Sequence, residues 1–390
     1  MKDSFSPSGI RTVSFILAVI LAIPALWEGA AGFYSWLSPF MMLNSVFALK
    51  TFTLLNIFAL PVLILTILHK RWFCKYLCPA GWCFDRVSML SKRKSTEYRN
   101  VPEIGRWIAV FSLAAAIFGL PVFVISDPMA IFNGFFTVFS GRYESSTLLY
   151  FSMFPVLLVM HLLLPGIWCK RICPLGGLQT ILRETGQKLY RIFAVKEQEI
   201  PAGNNGRRYF IMSGAGVIAG MMIPPFLKAG PAQHIRPPAS VKSGLFDLIC
   251  CRCGNCVRAC PAKIIFPHTS ADSILSWMTP EVNFSSGYCL ETCNLCGRVC
   301  PTGAISPFSV DEKSRLIMGK AEITINDCYL QNNRECIKCR EACKYDAIRF
   351  IVTNNLLNVK PVVDISKCTG CGACVAVCPA GCISVSPSEA

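Results

Sequence analysis

Cys250-Cys251-Arg252-Cys253-Gly254-Asn255-Cys256-Val257-Arg258-Ala259-Cys260-Pro261 decides how the second half of this chain is read. Its spacing is C-x2-C-x2-C-x3-C-P. A loop of this kind supplies three thiolates to one cubane iron–sulfur cluster, and its fourth cysteine serves a neighbouring cluster. Three further groups follow: Cys289, Cys293, Cys296, Cys300; Cys328, Cys336, Cys339, Cys343; and Cys368, Cys371, Cys374, Cys378. The last matches the full run through Pro379. The second widens its first gap by one residue and ends at Pro301. The third is stretched between Cys328 and Cys336 and ends in Lys344. These groups use sixteen of the 23 cysteines within the last 141 residues, and they predict four 4Fe-4S clusters.

The segment after each group also repeats: Ala262-Lys263-Ile264-Ile265, Thr302-Gly303-Ala304-Ile305, Tyr345-Asp346-Ala347-Ile348 and Ala380-Gly381-Cys382-Ile383. Internal repetition of this kind marks duplicated supersecondary units, each read as strand, ligand loop and short helix. Zinc is the competing reading, but zinc prefers separated pairs, often with histidine. The nearby histidines are His234 and His268. Disulfides need partners at a suitable Cα separation, which crowded triplets rarely offer. Cys251, Cys382 and Cys83 are left over: Cys382 reads as a packing residue, and Cys251 as a core residue with an alternative ligand role open.

Composition separates the first half. The chain is 53% hydrophobic, with a mean hydropathy of +0.47, and the apolar residues concentrate before residue 228. Five runs look long enough to span a hydrocarbon layer of roughly 30 Å: Thr12–Trp27, Thr51–Leu68, Trp107–Ile125, Leu148–Trp168 and Phe210–Leu227. Positive charge follows the second run (Lys70, Arg71, Lys75, Arg86, Lys92, Arg93, Lys94) and the fourth (Lys170, Arg171, Arg183, Lys188, Arg191, Lys196, Arg207, Arg208). The loops after the first and third runs carry little: Lys50 against Glu28, and Arg142 against Asp127 and Glu144. The positive-inside rule then puts the N-terminus and the basic loops in the cytoplasm and everything after Lys228 outside. Residues 1–227 hold 21 Lys and Arg against 10 Asp and Glu, and residues 228–390 hold 17 against 13. The +15 net charge therefore reads as topology, and no nucleic-acid partner is expected. Arg207-Arg208-Tyr209-Phe210 before the fifth run resembles a twin-arginine export signal, kept as an anchor helix.

The first half has its own duplication. Trp72-Phe73-Cys74-Lys75-Tyr76-Leu77-Cys78-Pro79 is echoed by Trp168-Cys169-Lys170-Arg171-Ile172-Cys173-Pro174. Pro39-Phe40-Met41-Met42-Leu43-Asn44 is echoed by Pro128-Met129-Ala130-Ile131-Phe132-Asn133. Two C-x3-C-P pairs brought together offer four thiolates: Cys74, Cys78, Cys169 and Cys173. That is enough for a fifth metal or iron–sulfur site.

On these motifs, residues 1–200 resemble the four-helix C-x3-C-P membrane proteins of the NapH and NosR type. Residues 205–390 resemble the four-cluster periplasmic ferredoxins of the MauM and NapG type. Both are joined here in one polypeptide. The resemblance implies nested pairing of the motifs. One cluster would sit on Cys250, Cys253, Cys256 and Cys378, and another on Cys368, Cys371, Cys374 and Cys260. The inner pair would use Cys289, Cys293, Cys296 with Cys343, and Cys328, Cys336, Cys339 with Cys300. The groups recur roughly every forty residues, which leaves adjacent pairing open.

The expected fold is an α-helical membrane bundle of duplicated hairpins plus an α+β ferredoxin-like domain of repeated 4Fe-4S modules. The expected domains are 1–200 (four-helix membrane domain), 205–228 (signal anchor helix) and 229–390 (four-cluster domain). The resemblance implies a component of the inner (cytoplasmic) membrane, with its cluster domain on the periplasmic side. Such a protein takes electrons from menaquinol and passes them to a periplasmic oxidoreductase or cytochrome; the quinone pool and membrane lipid are the other expected partners. Reverse flow from a periplasmic dehydrogenase, or an assembly or redox-regulatory role without turnover, are the alternatives. Quinol oxidation needs a proton acceptor, for which Asp127 is the first candidate. Its competing role is a helix cap before Pro128. His69 and His161 are further ionisable groups in the apolar half.

Overall fold

The computed structural model describes residues 7–23, 28–92, 101–137, 145–193, 206–227, 234–270, 275–332, 334–352 and 359–388. The expected loop residues Arg93, Lys94, Arg142, Glu144 and Lys196, and the linker before Gly206, lie outside them. The first half is helical. Its principal helices are Pro7–Ala22, Pro39–Leu49, Ala59–Leu68, Pro79–Met89, Ile104–Ala116, Pro128–Phe135, Ser145–Leu163, Pro174–Phe193 and Gly206–Leu227.

The membrane reading is overturned. Among the described residues, no helix is long and apolar enough to cross a membrane. Three of the five apolar runs fall in short helices. Helix Pro7–Ala22 has 16 residues, Ala59–Leu68 has 10 and Ile104–Ala116 has 13. At about 1.5 Å per residue each falls short of roughly 30 Å. A 3-10 turn at Leu54–Phe58 consumes the start of the second run. Gly119 at φ +89° and the 3-10 turn Val122–Ser126 break the third. Pro155 lies inside Ser145–Leu163, the helix of the fourth run. The last, Gly206–Leu227, opens with two arginines and closes on Pro224-Pro225. It packs on Ile104–Ala116, where a Cβ on Gly216 would meet the Phe111 carbonyl oxygen at 2.5 Å and one on Gly220 the Ala115 oxygen at 2.8 Å. The expected multi-pass bundle and its inner-membrane placement are corrected accordingly: among the described residues no helix could carry a crossing.

The duplication is real in another sense. Four helices begin at an X-Pro step whose X residue is extended: Ser38 (ψ 113°), Cys78 (ψ 107°), Asp127 (ψ 128°) and Cys173 (ψ 119°). Proline is preorganised for the first helical position, and X caps the free N–H groups. Ser38 Oγ accepts from Met41 N at 3.4 Å and Asp127 Oδ1 from Met129 N at 2.8 Å. Cys78 Sγ accepts from Gly81 N at 3.2 Å and Cys173 Sγ from Gly176 N at 3.5 Å. The two C-P cysteines thus occupy the same structural position as Ser38 and Asp127.

The second half contains three two-stranded antiparallel sheets. Strand β1 (Ile265–Pro267) pairs with β2 (Pro280–Val282). β3 (Gly319–Ile323) pairs with β6 (Ile383–Pro387). β4 (Ile348–Val352) pairs with β5 (Val359–Val363). The repeated isoleucine opens β1, β4 and β6, and in the second unit Ile305 bridges Ser240. Three residues past each group's last cysteine the backbone turns left-handed: Lys263 (φ 54°), Gly303 (φ 69°), Asp346 (φ 49°) and Gly381 (φ 62°). Each unit is therefore loop, short helix, left-handed turn, then extended chain. The order differs from the expected strand, loop and helix.

The two halves touch. Arg258, buried in the first loop's short helix, donates to the Ala22 carbonyl and to Asn133 Oδ1 at 3.3 Å. Cys251 and Cys253 share one apolar core with Cys78, Cys173, Phe132 and Phe136. A bilayer was expected to separate these groups.

Candidate cluster-binding sites

The thiols of the second half converge in four sets, each made from two neighbouring motifs. After burial, the charges that most raise the Cys256 thiol are those of Cys253, Cys250, Cys300 and Cys296. Cys296 in turn feels Cys289, Cys293 and Cys260. A small cavity of about 30 Å³ is lined by Cys260, Cys289, Cys293, Cys296 and Lys313. The first two sets are therefore Cys250, Cys253, Cys256 with Cys300, and Cys289, Cys293, Cys296 with Cys260.

The last two motifs repeat the exchange. Cys374 feels Cys371, Cys368 and Cys343. Cys339 feels Cys336 and Cys328. Cys382, expected only to pack, lies 3.6 Å from Cys378 through sulfur and also feels Cys328. The third set is Cys368, Cys371, Cys374 with Cys343, and the fourth Cys328, Cys336, Cys339 with Cys378. The nested order is not what the structure builds. Pairing is adjacent, because consecutive short helices pack on one another within each half of the domain.

The sets form a row. Cys289 N donates to the Cys371 carbonyl at 2.9 Å, joining the second set to the third. Tyr345 stands between them: burial raises its hydroxyl to about 12, followed by the charges of Cys371 and Cys289. The first set faces the helical half through Cys251 and Cys253.

These sites suit iron–sulfur clusters. Burial pushes Cys250 and Cys374 up to about 12 and Cys289 and Cys339 up to about 11. Thiols so placed become thiolates when a metal supplies the opposing charge. Backbone N–H groups already aim at the sulfurs: Ile305 N to Cys300 Sγ at 3.4 Å, Ala347 N to Cys343 Sγ at 3.3 Å and Ala321 N to Cys368 Sγ at 3.5 Å.

A fifth thiol set lies in the helical half. Burial raises Cys78 most, then Cys74, Cys169 and Cys173, and Cys173 feels Cys74 and Cys169 likewise. Gln179 Nε2 donates to Cys74 Sγ at 3.1 Å. His161, stacked on Phe84 at 4.2 Å between centroids, lies with Nε2 3.8 Å from Cys169 Sγ. Sequence reasoning found the four thiols. It missed Gln179, which carries no motif, and His69 lies exposed outside the set. Asp127 is fully buried. It caps its helix and accepts from Ser38 Oγ at 2.6 Å. Burial raises its carboxyl to about 6, and its charge reaches Cys74 and Cys173.

Comparison with known proteins agrees with this chemistry. A family described as a 4Fe-4S dicluster domain matches residues 249–304. One described as a 4Fe-4S binding domain matches 361–384, and another so described matches 51–96 and 146–192. The methylamine utilization ferredoxin-type protein MauM of Methylophilus methylotrophus is 33% identical over 187 residues, 44% of this chain and 79% of the relative. The chain belongs to the ferredoxin-type proteins. The ferredoxin-type proteins NapF and NapG of Escherichia coli are each 31% identical. They cover 39% and 45% of this chain and 85% and 81% of their own lengths. No solved structure matches. As a ferredoxin-type protein, this chain carries 4Fe-4S domains for electron transfer. The third match encloses both C-x3-C-P pairs.

Proposed function

We propose that this ferredoxin-type protein conducts single electrons between a quinol and a redox partner protein through four 4Fe-4S clusters, with a fifth centre on Cys74, Cys78, Cys169 and Cys173. The observation that carries the reading is the row of interleaved thiol sets, in which each motif gives three thiols to one set and one to the next. Clusters bound there would supply a succession of one-electron levels. The chain's contribution is to bury the thiols, aim N–H groups at them and hold the second set against the third.

An apolar pocket between the halves supports the quinol reading. It is lined by Ile125, Ile131, Met153, Cys251, Trp277 and Met278, beside the first thiol set. Its walls suit a flat apolar ring, and Arg252 is fixed there by the Trp277 carbonyl at 2.7 Å. Helix Pro128–Phe135, capped by Asp127, carries Ala130, Ile131 and Gly134 of that wall. A carboxyl near 6 is matched to accepting a proton at neutral pH, and we assign that role to Asp127.

Anaerobic protein mixed with a menaquinol analogue should bleach its visible iron–sulfur absorption. Ile131→Trp should slow that bleaching and leave dithionite reduction unchanged. Clusters that stay oxidised with every quinol refute the donor. Iron counting tests the fifth centre: about twenty irons per chain, falling by about four in Cys74→Ser with Cys169→Ser.

A further inference from the structure

Outside the thiol sets, two histidines and one glutamate meet. His268 Nδ1 lies 2.9 Å from Glu281 Oε2, and His234 Nδ1 lies 3.4 Å from the same oxygen. The two imidazole centroids are 4.0 Å apart. Among the described residues, this is the group of three His, Cys, Asp or Glu whose ligand atoms all fall within 4.8 Å of one another. A tetrahedral ion with bonds of about 2.0–2.1 Å sets its ligands about 3.3 Å apart. The two imidazole–carboxylate separations bracket that value, and all three ligand atoms stay within 4.8 Å of one another.

The scaffold is stiff. Glu281 lies in β2, opposite Phe266 of β1. His268 extends β1, with its N–H to the Thr279 carbonyl at 2.8 Å and its carbonyl receiving Met278 N at 2.7 Å. The segment bearing His234 is held to the same ribbon by Val282 N to the Ile235 carbonyl at 2.8 Å. Ser270 Oγ lies 2.9 Å from His268 Nε2, an outer contact of the kind that orients a ligating imidazole. The nearby cation, Arg236, is engaged by Asp247 at 2.6 Å. The His268 side chain is 3% exposed and Glu281 30% exposed, so the carboxylate side is the way in.

We propose that His234, His268 and Glu281 form a mononuclear site for a divalent late first-row cation, with zinc the best fit, separate from the thiol-held clusters. Two imidazoles and one carboxylate favour such an ion over magnesium or calcium, which take oxygen ligands. The ion would clamp the segment at His234 onto the β1–β2 ribbon, next to the loop that opens with Cys250.

The test uses the full chain, loaded with iron and kept anaerobic. Zinc is added, the protein is desalted, and metal content and zinc-edge X-ray absorption are read. The site predicts about one retained zinc with unchanged iron, and a nitrogen and oxygen shell at about 2.0 Å with imidazole scattering. His234→Gln with Glu281→Gln should weaken zinc binding at least tenfold. A sulfur shell at about 2.3 Å, no retained zinc, or equal retention in that variant overturns the proposal. The absorption spectrum is read on the unaltered protein, so it decides even if the variant loses its iron.

Discussion

Replacing Cys300 by alanine separates the two ways in which the motifs can be paired. In the structure Cys300 belongs with Cys250, Cys253 and Cys256, and its charge reaches both Cys250 and Cys256. Cys300→Ala and Cys253→Ala should therefore damage one and the same cluster. Each alone removes up to about four irons, and together they still remove about four. Cys300→Ala with Cys339→Ala strikes two sets and should remove about eight. Nested pairing reverses these numbers, because Cys300 would then complete the set of Cys328, Cys336 and Cys339. The assay is iron and acid-labile sulfide per chain in anaerobic protein. The comparison between doubles matters more than any single value, since shared partners make effects non-additive. A loss of about eight irons in the first double and about four in the second refutes adjacent pairing.

Gln179→Leu removes the donor to Cys74 Sγ. At about 1 kcal/mol for one hydrogen bond it should lower the potential of the helical-half centre by about 40 mV. The other potentials should stay in place in an electron-paramagnetic titration. Gly372→Ala puts a Cβ 2.1 Å from the Phe284 ring at φ +78°. The backbone conformation alone costs roughly 1–2 kcal/mol, so the temperature of cluster bleaching should fall by several degrees. Asp127 gives a pH signature. Its carboxyl is raised to about 6 from an unfolded value of about 3.9, so the native state holds the proton more tightly. The stability present below about pH 4 is lost as pH rises through 6, by about 3 kcal/mol. Asp127→Asn should flatten that part of the pH dependence of chemical unfolding, and an unchanged profile refutes the buried-carboxyl reading.

Hydropathy misled where it stood in for helix length. The run Thr51–Leu68 is uncharged and mostly apolar, but its first eight residues are spent on an entry segment and a 3-10 turn. Average apolarity records that residues avoid water and does not record whether they avoid it in one straight helix. The echo between Pro39 and Pro128 was visible, yet its meaning as matched helix caps required the backbone angles. Asp127 was named for a proton and also as a cap. The geometry displays the cap directly, through Met129 N.

Spacing within a dozen residues determined which three cysteines share a loop and that the ligands suit iron and sulfide. These are local matters, set by steric limits on φ and by the reach of one short helix. Tertiary structure alone decided which fourth cysteine completes each set, that Cys253 shares a core with Cys78 and Cys173, and that His234 meets Glu281. Those neighbours are dozens of residues apart or more, and their meeting depends on how short helices and two-stranded ribbons pack, which no periodicity in the chain encodes.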